Sequence, residues 1–205
     1  LPIYIYQEVP LKNILDACEA GGHPNRAYYF FSTSKITFPG AGISLIASGP
    51  DNMKEFKGHM SSQTIGHDKL NQLRHVQYFK TPENIRAHMA ALAEVLRPKF
   101  DMVLNRLEEE LEGSGLAVWS RPKGGYFISL DTLAGCAKRT VQLAKEAGVT
   151  LTGAGATYPY KRDPQDRNIR IAPTYPTPEE LKSAMDIFIL CVKIAGIESV
   201  VNQGN

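Results

Sequence analysis

The chain has 205 residues, 43% of them hydrophobic and 21% charged, with a formal net charge of +2. That length fits one domain or two small ones, and basic residues mixed with acids along the chain leave no polybasic footprint for nucleic acid. No apolar run is long enough to span a bilayer and no basic-then-apolar leader opens the chain. The three scattered cysteines, Cys18, Cys136 and Cys191, form neither a disulfide framework nor a zinc set, which makes a reducing cytoplasm the natural setting.

The opening "LPIYIYQEVP" reads as interior sequence of a longer protein. Leu11, Ile14, Leu15 and Cys18 have the spacing of one helical face, and Gly21-Gly22 ends that helix. Tyr28 to Phe31 reads as a buried aromatic strand, and Gly42 to Ser48 as a second strand. Helices are predicted over Met53 to Ser62 and Asp68 to Phe79. Thr81-Pro82 opens a long helix with Thr81 as N-cap, and Pro98 is expected to kink it. Its acidic end, Glu108-Glu109-Glu110, reads as a solvated face, and His59, His67 and His75 as surface or interface residues.

After Gly113-Ser114-Gly115 the period shortens. Leu116 to Ser120 and Tyr126 to Leu130 read as a hairpin around Arg121 to Gly125, followed by a helix from Ala134 to Ala147. Val149 to Thr152 and Asn168 to Ala172 are strand candidates, and Tyr126, Tyr158 and Tyr160 read as core, the alternative for "GATYPYKRD" being a substrate-facing loop. Thr177-Pro178-Glu179-Glu180 is a capping box opening a last helix, expected to stop near Ala195 before Gly196. Residues 1–80 form the end of an α/β unit and 81–205 an α+β unit in this reading.

One lysine stands out, in "FSTSKITFPGAG" between the first two strands. The glycines follow Lys35 instead of preceding it, so this is not a P-loop. Phe30, Phe31, Ile36 and Phe38 surround it in sequence, and an apolar setting lowers the pKa of an amine and favours reaction with an aldehyde.

Four motifs in order carry a resemblance. Ser32-Thr33-Ser34-Lys35, Lys123-Gly124-Gly125-Tyr126-Phe127, the Gly148 to Gly155 turn and Asn168-Ile169-Arg170-Ile171 resemble those of fold-type-I, class I/II aminotransferases that use pyridoxal 5′-phosphate. The 135 residues between Lys35 and Arg170 are close to that family's separation. The MocR-like aspartate aminotransferase branch is the most similar. The resemblance implies an α/β fold: the C-terminal part of the large domain plus the α+β small domain. It implies that Lys35 forms the aldimine with pyridoxal 5′-phosphate and acts as the general base. Ser32 and Ser34 would contact the cofactor, and Arg170 would hold the substrate α-carboxylate, for which a planar guanidinium fork is suited. It further implies amino acid and 2-oxo acid substrates, aspartate among the candidates, and a cytoplasmic homodimer in which Gln63 to Gly66 approaches the partner's cofactor. Neither a membrane nor, from this chain, nucleic acid is an expected partner.

Two departures accompany the resemblance. Most such enzymes carry a phosphate-binding arginine eight residues after the lysine; Ile43 stands there, and no basic residue occurs from Ile36 to Met53. Hydroxyls, backbone N–H groups around Gly40 to Gly42, or groups elsewhere must then serve the phosphate. The family's N-terminal half has no counterpart, so the chain is expected to be a C-terminal half, inactive alone. The alternative functions are the cofactor-sensing domain of a MocR-type transcription regulator and a related pyridoxal-phosphate lyase.

Overall fold

A computed structural model describes residues 11–38 and 40–203, and the opening segment read as interior sequence lies outside the described residues. The described residues form two compact units whose boundary falls inside one helix, between Ala90 and Ala91.

In the first unit, helix α1 (Ile14–Ala20) starts later than its apolar spacing suggests, because the Asn13 side chain caps it by accepting from the Leu15 N–H at 3.0 Å. Strands β1 (Tyr28–Ser32) and β2 (Ser44–Ser48) pair antiparallel, with Tyr28 opposite Ser48 and Ser32 opposite Ser44. The expected burial of β1 is not observed. Its residues alternate, and Phe30 is 71% exposed. Helices α2 (Pro50–Gln63) and α3 (Lys69–Phe79) follow, the second capped by Asp68, whose carboxylate accepts from the Asn71 N–H at 3.0 Å. Helix α4 (Pro82–Leu111) begins in this unit and runs through Pro98 as one element.

In the second unit, β3 (Ala117–Trp119), β4 (Ile128–Thr132) and β5 (Asn168–Ile171) make an antiparallel sheet in that order, and the expected hairpin is β3–β4. Helices α5 (Ala137–Glu146) and α6 (Pro178–Gln203) complete the unit. The core gathers Phe100, Val103 and Leu107 of α4, Ile128 and Leu130 of β4, Ile169 and Ile171 of β5, and Phe188 and Val192 of α6. Burial of this kind stabilises by roughly 25 cal/mol per Å² of apolar surface removed from water.

Four expectations are corrected here. Residues 149–152 are irregular and pair with no strand among the described residues. Tyr158 and Tyr160 are not core; Tyr160 is 93% exposed, in a left-handed turn with φ 55°. Helix α6 continues through Gly196 to Gln203, because that glycine is a close-approach position and not a C-cap. A Cβ there would lie 2.7 Å from Leu116 Cδ2. The Glu108 to Glu110 run is more than a solvated face. Glu108 pairs with Arg121 at 2.8 Å, and Glu110 joins α4 to α6 through Lys193 at 2.7 Å. The Lys193 ammonium, and then Arg106, hold the Glu110 carboxyl below its usual range. The capping box of α6 is present: Thr177 N–H donates to Glu180 at 2.9 Å, and Glu180 N–H to the Thr177 hydroxyl at 3.2 Å. Cys191 is buried, which pushes its thiol pKa up.

Candidate functional site

β1 ends at Ser32, and the chain then makes a single helical turn. The N–H groups of Ile36 and Thr37 donate to the Thr33 carbonyl at 2.8 and 2.9 Å. The ends of the loop are tied together. Thr33 N–H donates to the Ile43 carbonyl at 2.8 Å, and Ile43 N–H to the Thr33 hydroxyl at 2.8 Å. Gly42 lies flat against this turn, where a Cβ would sit 2.6 Å from the Ser34 hydroxyl and 2.9 Å from its Cα. Only glycine fits that approach.

On this turn Ile36 is 4% exposed and points inward, while Lys35 is exposed. The apolar enclosure expected of Lys35 is therefore absent from the described residues: Ile36 points away from solvent and Phe30 is exposed. The Ser32 and Ser34 hydroxyls lie 2.7 Å apart, and Ser34 N–H donates to the Ser32 hydroxyl at 3.1 Å. Ala41 N–H donates to Phe38 at 3.1 Å and Ile43 N–H to Thr33, so neither of these loop amides is spare for an anion. The Ser32 and Ser34 hydroxyls are donors next to the lysine in the chain. An amine with two adjacent hydroxyls suits a phosphorylated aldehyde in chemical type. A cleft of about 710 Å³ opens along the hairpin, lined by Ser32, Gly42 and Ser44 together with Phe56 and Met60 of α2 and Asn71 of α3. Ser32 reaches it, whereas Lys35 is not part of its wall.

In the second unit, Arg170 sits in β5 opposite Ser129 of β4. Its neighbours Ile169 and Ile171 face the core at 0% and 3% exposure, so strand alternation turns Arg170 to the other face. Its guanidinium carbon lies 4.3 Å from the centre of the Phe127 ring, and a terminal nitrogen donates to the Thr152 hydroxyl at 3.4 Å. Its Nε is buried without a hydrogen-bond partner. Arg106, Arg121 and Arg139 all pair with glutamates, but no carboxylate among the described residues pairs with Arg170. Asp131, a carboxylate on the same sheet face, instead accepts from Asn168 Nδ2 at 2.7 Å. A half-buried guanidinium lacking an anion is chemically matched to a carboxylate brought from outside.

The approach to β5 is fixed by Asp163. Its carboxylate accepts from the N–H groups of Gln165, Arg167 and Asn168 at 3.0, 2.7 and 2.8 Å. Burial opposes its ionisation, yet these backbone donors outweigh burial and hold the carboxyl below its usual range. Gly125, at φ 96°, allows the turn that delivers Phe127 to Arg170.

Several of these residues carried no separate signal in the sequence. Phe127 was legible only as part of the Gly-Gly-aromatic motif, Thr152 only as part of the Gly148 to Gly155 turn, and Asp163 not at all. His75 is not a surface residue. It is 6% exposed, and its ring is held on both sides, by Thr37 at 2.9 Å and by the Asn71 carbonyl at 2.9 Å.

Comparison with known proteins places the chain in a family. A family model described as "Aspartate amino-transferase" matches residues 5–204. The chain is 47% identical over 190 residues to an aspartate aminotransferase of Corynebacterium glutamicum, covering 93% of this chain and 44% of that protein. The crystal structure of an aspartate transaminase from Corynebacterium glutamicum superposes with a TM-score of 0.92 at 46% identity, over 97% of this chain and 47% of that one. An uncharacterized HTH-type transcriptional regulator of Bacillus subtilis is 25% identical over 194 residues, covering 92% of this chain and 38% of that protein. The chain thus spans about half the length of the relatives it matches. With an exposed lysine on a serine-flanked turn and an arginine that pairs with no carboxylate among the described residues, and with the family match extending over nearly all its length, the chain belongs to the aspartate aminotransferase family.

Proposed function

We propose that this chain is the C-terminal half of a pyridoxal-phosphate-dependent aminotransferase that moves an amino group between an amino acid, with aspartate the first candidate, and a 2-oxo acid. Lys35 holds the cofactor covalently through its Nζ, the Ser32 and Ser34 hydroxyls serve the phosphate in place of the missing arginine, and Arg170 holds the substrate α-carboxylate. The observation that carries this reading is Arg170: a half-buried guanidinium with an unpartnered Nε, stacked on Phe127 and lacking a carboxylate among the described residues. The relatives named aspartate aminotransferase supply the candidate substrate, and the regulator reading has only the more distant similarity behind it.

When bound, the cofactor supplies an electron sink for the pair left at the substrate Cα. The protein's part is position and proton handling. Arg170 donates to both carboxylate oxygens and so fixes the direction of the Cα–H bond. Lys35 Nζ would be the base that takes the proton from the substrate Cα and the acid that gives one back. A cytoplasmic homodimer is the proposed working form, and three free cysteines suit a reducing compartment.

The test uses the whole protein, at the length of its relatives. Borohydride reduction with pyridoxal 5′-phosphate, followed by peptide mass mapping, should place the adduct on Lys35. Aspartate and a 2-oxo acid should yield a new amino acid and not ammonia. An adduct that survives unchanged in Lys35→Ala sinks the lysine assignment, and release of ammonia favours the lyase.

A further inference from the structure

Resting on the reading that Lys35 carries the cofactor, we propose that His75 and His88 are positioning residues that lock the turn presenting Lys35. His75 is buried and His88 is half-buried. Both reach that turn from helices behind it, at its side chains and at its backbone.

The hydrogen-bond directions follow from the partners. A carbonyl only accepts, so His75 Nδ1 carries the proton donated to the Asn71 carbonyl at 2.9 Å. In neutral imidazole Nε2 is then an acceptor, and it takes the single Thr37 hydroxyl proton at 2.9 Å in competition with the Thr33 carbonyl and hydroxyl, which Thr37 Oγ1 also reaches at 3.2 and 3.1 Å. Thr37 in turn lies 3.1 Å from the Thr33 hydroxyl, which accepts from Ile43 N–H at 2.8 Å. Asn71 closes the circuit, because its Nδ2 donates to the Ala41 carbonyl at 2.9 Å. The chain of bonds leaves the loop at Thr37, crosses α3 at His75 and Asn71, and re-enters the loop at Ala41.

The second histidine acts on the other side of the lysine's peptide neighbour. His88 Nε2 donates to the Ile36 carbonyl at 2.9 Å. Ile36 is itself 4% exposed, so the residue after Lys35 is fixed by its side chain and by its carbonyl together. Around these bonds, Phe38 meets His75 edge-on at 5.4 Å, and Phe79 meets His88 edge-on at 5.4 Å. Chained hydrogen bonds in such a shielded setting reinforce one another.

The consequence is geometric. Lys35 is exposed and its side chain is long and flexible, so the direction of its Cα–Cβ bond is what the fold can control. A nucleophilic amine works at its full rate only when presented in the reacting geometry. The two histidines fix the turn that carries the lysine.

The experiment measures capture of pyridoxal 5′-phosphate by Lys35 in the whole protein, as the rate of the borohydride-reducible adduct at that residue. Amide hydrogen exchange over residues 33–43 is followed in parallel without cofactor. In His75→Leu the capture rate should fall by roughly tenfold to a hundredfold, with exchange accelerated in that loop. His75→Gln, whose amide can meet Thr37, should restore most of the rate. Thr37→Val removes the hydroxyl while keeping the shape, and it should reproduce the loss if His75→Leu does not fold. Phe79→Leu loosens the aromatic packing against both imidazoles without removing a hydrogen bond of the circuit, and should lower capture far less than His75→Leu does. Wild-type capture rates in both His75→Leu and Thr37→Val overturn the positioning role and leave the Lys35 reading intact. An equal loss in Phe79→Leu overturns it also, in favour of packing alone. A wild-type protein that gives no Lys35 adduct instead overturns the cofactor reading itself.

Discussion

The two units solve the problem of burial in opposite ways. The second builds a core from three elements: Val103, Leu107, Ile128, Leu130 and Ile169 are all at 0% exposure, closed over by Phe188 at 1%. In the first, among the described residues, Ile36 and Phe79 are the buried hydrophobics, while Phe30, Leu45, Leu70, Leu73 and Val76 are at least half exposed. What holds its loop in place is the polar circuit through Thr33, Thr37, Asn71 and His75. A core is non-directional and tolerates repacking; a polar circuit fixes geometry but contributes little net stability per bond. The lysine turn sits on the second kind of support, which suits a group that must be aimed.

The largest effect that separates the units is stability. Phe188→Ala should cost about 3–5 kcal/mol, because it opens a cavity in a closed core. Phe30→Ser should change stability by less than about 0.5 kcal/mol in this chain, because its ring is already in water. Urea unfolding of the chain, read by circular dichroism, decides between them. A cost for Phe30→Ser close to that for Phe188→Ala would mean that the first unit is a core in its own right, and the contrast would fail.

The same contrast explains what was legible in the sequence. In the second unit apolar period and burial coincide. The β5 alternation of Ile169 and Ile171 around Arg170 and the Thr177 capping box both read correctly, as did the motif order that placed the family. In α3 they part. The apolar stripe Leu70, Leu73, Val76 faces water, and the buried positions are His75 and Phe79. A period-based reading chooses the stripe and discards the histidine, because nothing local marks His75 as inward-facing. Its burial is set by Thr37 and Phe38, 38 and 37 residues earlier in the chain. Gly196 misled for a similar reason. Glycine ends helices so often that a glycine needed for contact with Leu116 looks identical in sequence.

A smaller effect tests whether Arg170 is aimed as Lys35 is. Phe127 lies over its guanidinium at 4.3 Å, and such a stack contributes about 0.5–2 kcal/mol. In the whole protein, Phe127→Ala should therefore raise KM for the amino acid by roughly twofold to thirtyfold, with Phe127→Tyr close to wild type. Steady-state kinetics with aspartate would show it. A KM unchanged in Phe127→Ala would mean that Arg170 needs no brace on that face, and that the aimed groups are confined to the first unit.

The smallest effect is a pH dependence in the second unit. Asp163 organises the approach to β5, and backbone N–H groups hold its carboxyl below the usual aspartate value of 3.8 despite burial. A depressed pKa in the folded state means that the unfolded chain binds the proton more readily. The stabilisation is therefore complete above pH 3.8 and is lost as pH falls through the lower, folded value. Asp163→Asn keeps an acceptor oxygen and removes the titration. Its thermal midpoint should be lower than wild type at neutral pH, and the gap should close as the solution is acidified below the aspartate range. A gap that stays constant with pH would show that the loop before β5 is held by shape alone, and that even the well-cored unit does not rely on a charge to deliver Arg170.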